Sequence, residues 1–262
     1  DNRSPAKAAQ WGAEFADTAG PRQAATPREA AQGADIVFCC VGNDDDLRSV
    51  VLGAHGALAG MKPGAIFVDH TTASAEVARE LNAAAQALGL QFIDAPVSGG
   101  QVGAQNGQLT VMCGGDAAAF AVMQPVALCF ARAVTLLGDS GSGQLAKMVN
   151  QICIAGLLQG LAEGITLGKA LGLDIEALVD TLKRGAANSW QLENRGLTMS
   201  EGKFDFGFAV DWAIKDLGIV QDCAQSLGLN LTATQDILAR YQNISANGYG
   251  REDTSALIRQ FE

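Results

Sequence analysis

The chain has 262 residues, of which 48% are apolar and 18% charged, and its formal net charge is −10. This composition is typical of a soluble globular protein with room for one large domain or two ordinary ones. Because no basic run offsets the negative charge, nucleic acid and anionic membranes are excluded as expected partners, whereas small anionic ligands are not.

Residue counts narrow the chemistry further. The chain has two histidines, too few to favour a His-centred triad or a zinc site, so no metal is predicted. Six cysteines without a CxxC pair indicate reduced, buried thiols in a cytoplasmic protein. The longest apolar stretch, residues 152–162, is short and broken by glycines, so a membrane span is not predicted.

Strand and helix patterns alternate in the first part of the chain. Thr26 before Pro27 predicts a helix start, and Ser74 predicts the N-cap of another helix. Residues 34–41 form a continuous apolar run, which is typical of a strand buried on both faces of a parallel sheet. The acidic run 44–46 is interpreted as a helix N-terminus. Strands are predicted at 34–41, 65–69, 91–95, 109–113 and 133–137, and helices at 6–16, from 42–46 to about 52, and at 75–88. This alternation indicates an α/β fold with a doubly wound parallel sheet.

From Gln144 onward the pattern predicts helices alone. They cover residues 144–171, 174–184, 211–227, 232–243 and 254–261. We therefore expect a domain boundary near Asp139, with residues 1–139 forming the α/β domain and residues 140–262 an all-helical domain.

Lys147 is the most conspicuous candidate for chemistry. It is the only charged residue between Asp139 and Glu163, and at 3.6 residues per turn it shares a helix face with Gln144, Asn150 and Gln151. A lysine on a mostly apolar helix either extends its amine to water or has a function. The two readings are a snorkelling side chain and a catalytic amine flanked by amides that hold a polar substrate.

Two loops at predicted strand ends could bind ligands. Ser98, Gly99 and Gly100 follow a strand at the edge where open α/β sheets bind ligands, and such a loop can hold a carboxylate. A simple tight loop explains the same pattern. The hydroxyls of Thr71 and Thr72 could contact a cofactor, although capping of the next helix is the favoured interpretation.

Lys215 is a second lysine on a predicted apolar face. Trp212, Lys215, Ile219 and Cys223 fall on one stripe of their helix, and Asp216 follows Lys215 directly. A structural salt bridge explains this charge, as does a lysine directed at a cofactor or substrate. Two such lysines together favour the functional interpretation.

Three segments resemble the β-hydroxyacid dehydrogenase family in their order and spacing. They are residues 94–100 (Asp-Ala-Pro-Val-Ser-Gly-Gly), 141–147 (Gly-Ser-Gly-Gln-Leu-Ala-Lys) and 215–217 (Lys-Asp-Leu). The resemblance covers nearly the whole chain, and the family includes 3-hydroxyisobutyrate dehydrogenase and tartronate semialdehyde reductase. It implies a Rossmann domain, an all-helical domain, a nicotinamide cofactor, a small carboxylate substrate, and a homodimer or homotetramer built through the helical domain.

The same resemblance implies roles for individual residues. Lys147 matches the catalytic lysine, and Ser98, Gly99 and Gly100 match the substrate-carboxylate loop. Asn150 and Gln151 are expected to orient Lys147 and the substrate hydroxyl. The positions that match cofactor contacts are Asn2, Arg3, Ser4, Val41, Gly42, Asp46, Thr72 and Lys215.

The chain departs from the family pattern at two places. Gln151 stands where the family usually has Asn, and the Asn150-Gln151 pair resembles the tartronate semialdehyde reductase branch. The family also begins with a strand and a glycine-rich turn, which this sequence lacks. We therefore expect either a truncated chain or an impaired cofactor site. Arg3 at the ribose-reading position indicates NADP, with NAD as the other possibility.

These observations lead to one functional hypothesis and its alternatives. The hypothesis is an NADP-preferring oxidoreductase that interconverts a small β-hydroxyacid and its semialdehyde, with Lys147 as general base in oxidation and general acid in reduction. One alternative is a phosphogluconate-type dehydrogenase. It is disfavoured because that branch has a His at the position that Asn150 occupies in this chain. An imine reductase is disfavoured as well, because that branch of the family usually has another residue in place of Lys147. The last alternative is a catalytically impaired cofactor-binding or assembly module.

Overall fold

The computed structural model describes residues 5–17 and 23–262 and divides the chain into two compact units. The first unit runs to Ala146, and the second begins at Lys147. The predicted cofactor contacts Asn2, Arg3 and Ser4 lie outside the described residues.

Among its described residues the first unit contains a six-stranded sheet, which confirms the predicted α/β fold. Its order is β1-β2-β3-β5-β4, and β6 pairs with β5. The pairs β1–β2, β2–β3 and β5–β6 are parallel, whereas β3–β5 and β4–β5 are antiparallel, so the sheet is mixed rather than wholly parallel. The strands are β1 (Ile36–Cys39), β2 (Ile66–Asp69), β3 (Gln91–Asp94), β4 (Val97–Ser98), β5 (Leu109–Gly115) and β6 (Ala131–Leu136).

Side-chain caps begin the helices of this unit much as the sequence predicts. The Thr26 hydroxyl accepts from the Glu29 N–H, and the Ser74 hydroxyl accepts from the Val77 N–H. Asn43 caps the helix that carries the acidic run. The sequence did not predict the fifth and sixth helices. The helices are α1 (Pro5–Glu14), α2 (Pro27–Ala31), α3 (Asp44–Val51), α4 (Ala75–Ala87), α5 (Gly100–Gln105) and α6 (Ala117–Ala127), with a 3₁₀ turn at Ala57–Gly60.

Strand β1 is less buried than its apolar sequence predicts. All four residues of β2 are buried, but none of β1 is, and Phe38 is 37% exposed. Within the described residues, β1 pairs with β2 alone and so forms an edge of the sheet. The prediction of a strand buried on both faces is therefore wrong for β1: all four of its residues are at least partly exposed, and its outer edge has no paired strand among the described residues.

The second unit is helical, as predicted. The long first helix, α7, begins at Ser142 in the first unit and continues into the second. Four predicted helices are confirmed to within a few residues, the last predicted helix is 3₁₀, and α9 was not predicted. The elements are α7 (Ser142–Ala170), α8 (Ile175–Leu182), α9 (Trp190–Ser200), α10 (Val210–Ser226), α11 (Thr232–Ile244), a π-helical turn (Ser245–Tyr249) and a 3₁₀ helix (Thr254–Phe261).

Helix α10 buries a different face from the predicted one. Its buried apolar residues are Val210, Ala213, Leu217, Val220 and Ala224, and they pack in the core of the second unit or beside it. Trp212 is partly exposed, so the predicted apolar stripe through Lys215 is wrong. The rotation of the buried face places Asp216, rather than Lys215, on the inner side of the helix.

The cysteine prediction is confirmed only in part. All six cysteines are free thiols, but Cys113 alone is buried, while Cys40, Cys129 and Cys153 are exposed. The apolar run 152–162 lies inside the longer α7. Among the described residues, α7 is the one helix that passes a membrane-span test of length and apolarity, a test that core helices of soluble proteins also pass.

Candidate active site

The first turn of α7 is fixed by a buried carboxylate at the end of β3. Asp94 Oδ1 accepts a hydrogen bond from the Gly141 N–H at 2.7 Å, and Oδ2 accepts one from the Gln144 N–H at 3.0 Å. Burial raises the pKa of Asp94, and the backbone donors oppose that rise. Two of the N–H groups that a helix start leaves unpaired are thereby satisfied in the interior.

Glycine at position 143 is required by the close approach of this turn to the sheet. A Cβ atom there would collide with the carbonyl oxygens of Met112 and Asp94. The Gly-Ser-Gly segment is thus needed for packing of the helix start against the ends of β3 and β5.

Gln144 connects the same turn to the loop that follows β2. Its Oε1 accepts from the Ala73 N–H at 3.0 Å, and its Nε2 donates to the Thr71 carbonyl at 2.8 Å. The side chain is completely buried. Gln144 therefore has a structural role in the first unit, although it shares a helix face with Lys147.

Lys147 opens the second unit and is buried, with 6% of its surface exposed. Burial lowers the pKa of Lys147 to about 8, the negative charge of Asp216 opposes this shift, and the positive charge of Lys215 adds to it. A snorkelling side chain would keep its amine in water, so that reading does not fit. An amine with this pKa exists in both protonation states near neutral pH, as a general acid and base requires.

A hydrogen-bonded chain of polar side chains lies beside Lys147 in the second unit. Asn150 Nδ2 donates to Gln151 Oε1 at 2.8 Å, and Gln151 Nε2 donates to Asp216 Oδ2 at 2.6 Å. Lys215 Nζ lies 3.0 Å from Asp216 Oδ1 and 5.7 Å from the centre of the Trp212 ring. The two helices α7 and α10 thus bring one lysine, two amides and one carboxylate into a single network, and the charges of Asp216 and Lys215 act on the buried Lys147.

The sequence offered Asp216 as the salt-bridge partner of Lys215, and the structure shows that ion pair, but Asp216 is also the most deeply buried charged group of this network. It is 1% exposed, and burial raises its pKa against the opposing effects of Lys215, Lys147 and Gln151. The available signal was its position next to Lys215. Its burial was not predicted because the sequence pattern indicated a different buried face for α10.

The predicted cofactor contacts in the first unit lie where β1 and β2 end. Val41 and Gly42 follow β1, Asp46 lies in the first turn of α3, and Thr72 follows β2. Parallel strands present their carboxyl ends at one sheet edge, where open α/β sheets bind nucleotides. These residues lie at that edge, and their contact with a dinucleotide stays a prediction.

Hydrogen bonds between the two loops also correct one expectation. The Val41 N–H donates to the Thr71 hydroxyl at 3.0 Å, and Asp44 accepts from both the N–H and the hydroxyl of Ser74. Ser74, and neither threonine, caps α4. The capping interpretation of Thr71 and Thr72 is therefore wrong, and the Thr71 hydroxyl instead joins the ends of β1 and β2.

The predicted carboxylate loop has the backbone that its glycines permit. Ser98 ends β4, opposite Thr110, and Gly99 and Gly100 adopt φ values of 129° and 61°. These positive values favour glycine at both positions. The binding of a substrate carboxylate by Ser98, Gly99 and Gly100 stays a prediction, as do the substrate and cofactor roles of Asn150, Gln151 and Lys215. Within the described residues, no cluster of three His, Cys, Asp or Glu side chains could hold a metal ion.

Comparisons with known proteins match both parts of the chain. A family model described as the NAD binding domain of 6-phosphogluconate dehydrogenase matches residues 2–138. A second, described as NAD-binding of NADP-dependent 3-hydroxyisobutyrate dehydrogenase, matches residues 141–261.

Three relatives illustrate the similarity. An uncharacterised oxidoreductase of Shewanella frigidimarina is 54% identical, covering 100% of this chain and 88% of the relative. An NAD-dependent L-serine dehydrogenase of Pseudomonas aeruginosa is 34% identical, covering 93% of this chain and 84% of the relative. The crystal structure of 3-hydroxyisobutyrate dehydrogenase from Salmonella typhimurium is 37% identical, with a TM-score of 0.82 and coverage of 90% and 83%.

Proposed function

The chain belongs to the β-hydroxyacid dehydrogenase family and is an NAD(P)-dependent dehydrogenase, and we propose that it interconverts a small β-hydroxyacid and its semialdehyde with Lys147 as general acid and base. The observation that carries this proposal is the buried amine of Lys147, whose pKa lies at about 8. Ordinary surface lysines stay protonated at neutral pH and cannot accept a proton there.

The proposed reaction balances one hydride and one proton. The nicotinamide supplies the acceptor for the hydride that leaves the hydroxyl-bearing carbon. The neutral Lys147 amine takes the hydroxyl proton as the C=O bond forms, and in reduction the protonated amine returns it. Ser98, Gly99 and Gly100 hold the carboxylate of the substrate, and Val41, Gly42, Asp46, Thr72 and Lys215 contact the cofactor.

The proposed substrate class is a short 3-hydroxy acid. The relatives named for 3-hydroxyisobutyrate and L-serine support it, since both compounds carry a carboxylate two bonds from the hydroxyl-bearing carbon. Arg3, at the position that reads the ribose, supports NADP as the preferred cofactor.

A substrate panel with both cofactors tests this proposal. We expect NADP⁺-dependent oxidation of at least one of 3-hydroxyisobutyrate, L-serine and glycerate, with kcat/KM at least about tenfold higher than with NAD⁺, because one charge-assisted contact to a 2′-phosphate suffices for tenfold. The measurement is NADPH formation followed by its absorbance. The matched control is the same panel of carbon chains without the hydroxyl group, which must be inert.

Thermal unfolding distinguishes a protein that cannot bind the cofactor from an active enzyme whose substrate is not in the panel. NADPH at about 100 times its Kd should stabilise a competent protein by roughly 2.7 kcal/mol. Stabilisation by NADPH without turnover of any hydroxy acid would contradict the proposed substrate class. The absence of stabilisation by either cofactor would favour the impaired binding or assembly module.

We propose that residues 1–139 form the dinucleotide-binding domain. Residues 140–262 then form the domain for substrate binding and oligomerisation. The separation of the two matching family models between residues 138 and 141 supports this assignment. The six free thiols support a reducing compartment, the cytoplasm.

A homodimer or homotetramer formed through α7 is part of the proposal. In the second unit this helix exposes Val149 and Leu157, at 62% and 46%. Gly156, Gly160 and Gly164 have open space where a side chain would be, so another helix could approach the backbone closely. Exposed apolar surface next to bare backbone supports helix–helix packing between copies of the chain.

Charged substitutions on α7 should weaken this association. We expect Leu157→Asp to shift the protein toward monomer in light scattering across a dilution series, because an aspartate would be desolvated at the contact. The matched control is Leu88→Asp at the end of α4, a similarly exposed leucine away from α7. An unchanged mass for Leu157→Asp would place the association surface elsewhere.

A further inference from the structure

The side-chain amide of Gln151 forms hydrogen bonds within the second unit through both its oxygen and its nitrogen. Oε1 accepts from Asn150 at 2.8 Å, and Nε2 donates to Asp216 at 2.6 Å. The side chain is 4% exposed. Its carbonyl already accepts one hydrogen bond, and its N–H group is already bound to a carboxylate. These two bonds fix the side chain in one orientation, which favours a structural role over ligand binding.

We propose that Gln151 is a positioning residue that acts on Lys147 through Asp216, a role that rests on the proposed function of Lys147. Gln151 and Lys147 are one turn apart on α7, and Asp216 of α10 hydrogen-bonds to Gln151 and acts electrostatically on Lys147. The Gln151 amide holds Oδ2 of the carboxylate, while Lys215 pairs with Oδ1. Gln151 therefore supplies the hydrogen bond that holds Oδ2, while Oδ1 has an ion-pair distance to Lys215 but no hydrogen bond among the described residues.

The charges that act on this group determine the sign of the effect. Asp216 and Lys215 act on Lys147, and Lys215 and Lys147 act on Asp216. The hydrogen bond from Gln151 favours the ionised carboxylate and lowers the pKa of Asp216. Without it, the ionised carboxylate is less stabilised and less firmly held, so its negative charge opposes the lowering of the Lys147 pKa less strongly. The pKa of Lys147 should then fall below about 8.

The test measures the titration of Lys147 directly, without any substrate. Protein labelled with ¹³C at lysine Cε is titrated by NMR, and the Lys147 resonance is assigned by its loss in Lys147→Arg. We expect Gln151→Leu to lower the Lys147 midpoint by about half a pH unit or more. The matched control is Gln159→Leu, which lies two turns further along α7 and removes an amide that donates to Glu163 at 2.6 Å. That control should leave the midpoint unchanged.

A double substitution shows whether the effect passes through Asp216. Asp216→Asn alone should lower the Lys147 midpoint, since it removes the opposing negative charge. In that background, Gln151→Leu should add less than about 0.2 pH unit, because residues that act through one another are not additive. If the full shift persists in the double variant, Gln151 acts on Lys147 directly and the inference is overturned.

Two further outcomes keep the inference separate from the proposed function. Equal midpoints in Gln151→Leu and the wild type would overturn the inference even if Lys147 proves essential for turnover. Conversely, if mutation of Lys147 leaves turnover unchanged, the proposed catalytic role fails, but the titration still shows whether Gln151 affects the pKa of Lys147. If Gln151→Leu fails to fold, Asn150→Ala removes the donor that orients Gln151 and should give a smaller shift in the same direction. No shift in that variant would count against the inference.

Discussion

Replacement of Lys147 with alanine should lower kcat by about 10²- to 10⁴-fold, the range that a positioned general acid or base contributes. The variant should keep its fold, because a buried cationic side chain is replaced by an apolar one and Lys215 still pairs with Asp216. The measurement is single-turnover oxidation of NADPH at saturating substrate, which reports the chemical step rather than product release.

The control for this prediction is another lysine of the same helix. Lys169 is exposed and donates to the Ser200 carbonyl at 2.6 Å, so Lys169→Ala should retain wild-type kcat. Added methylamine should restore part of the activity of Lys147→Ala, since a small amine fits the space left by the side chain. A wild-type rate in Lys147→Ala would remove Lys147 from the mechanism.

Replacement of Asp94 with alanine should lower the free energy of unfolding by about 2–4 kcal/mol, because two buried backbone N–H groups lose their acceptor. These are the Gly141 and Gln144 N–H groups that begin α7. Asp94→Asn retains one acceptor oxygen and should lose about half as much. Urea denaturation followed by circular dichroism measures both variants.

Asp116 provides a matched control for Asp94. Its carboxylate also accepts from two backbone N–H groups, those of Ala118 and Ala119 at the start of α6, but α6 begins at the surface. Water can replace the lost acceptor there, so Asp116→Ala should cost only about 1 kcal/mol. Equal costs for the two substitutions would show that burial of the Asp94 cap contributes nothing.

Some elements follow from residues close together in the chain, and the sequence predicts them. Thr26 and Ser74 cap their helices through hydrogen bonds to N–H groups three residues away. The polar face of α7 that includes Lys147 and Gln151 follows from the helical repeat alone. Helix α6 was not predicted, and it contains Pro125, a residue that usually interrupts helices.

Other properties depend on residues that are far apart in the sequence. Gln144 and Gln151 look equivalent on the helix face, but Gln144 bonds to Thr71 and Ala73, whereas Gln151 bonds to Asp216. The partial exposure of β1 depends on which strands pair beside it, and its composition does not report that.

The sequence by itself determined the α/β-then-helical order, the helix starts and the family motifs around Ser98, Lys147 and Lys215, because each depends on local hydrogen bonds, periodicity or short spacing. Only the tertiary structure decided which face of α10 is buried, and with it the position of Asp216. Burial and the charges of Asp216 and Lys215 together set the pKa of Lys147. Desolvation and charge act through space. The sequence could therefore identify Lys147 as the candidate, but the size of its pKa shift depends on the tertiary structure.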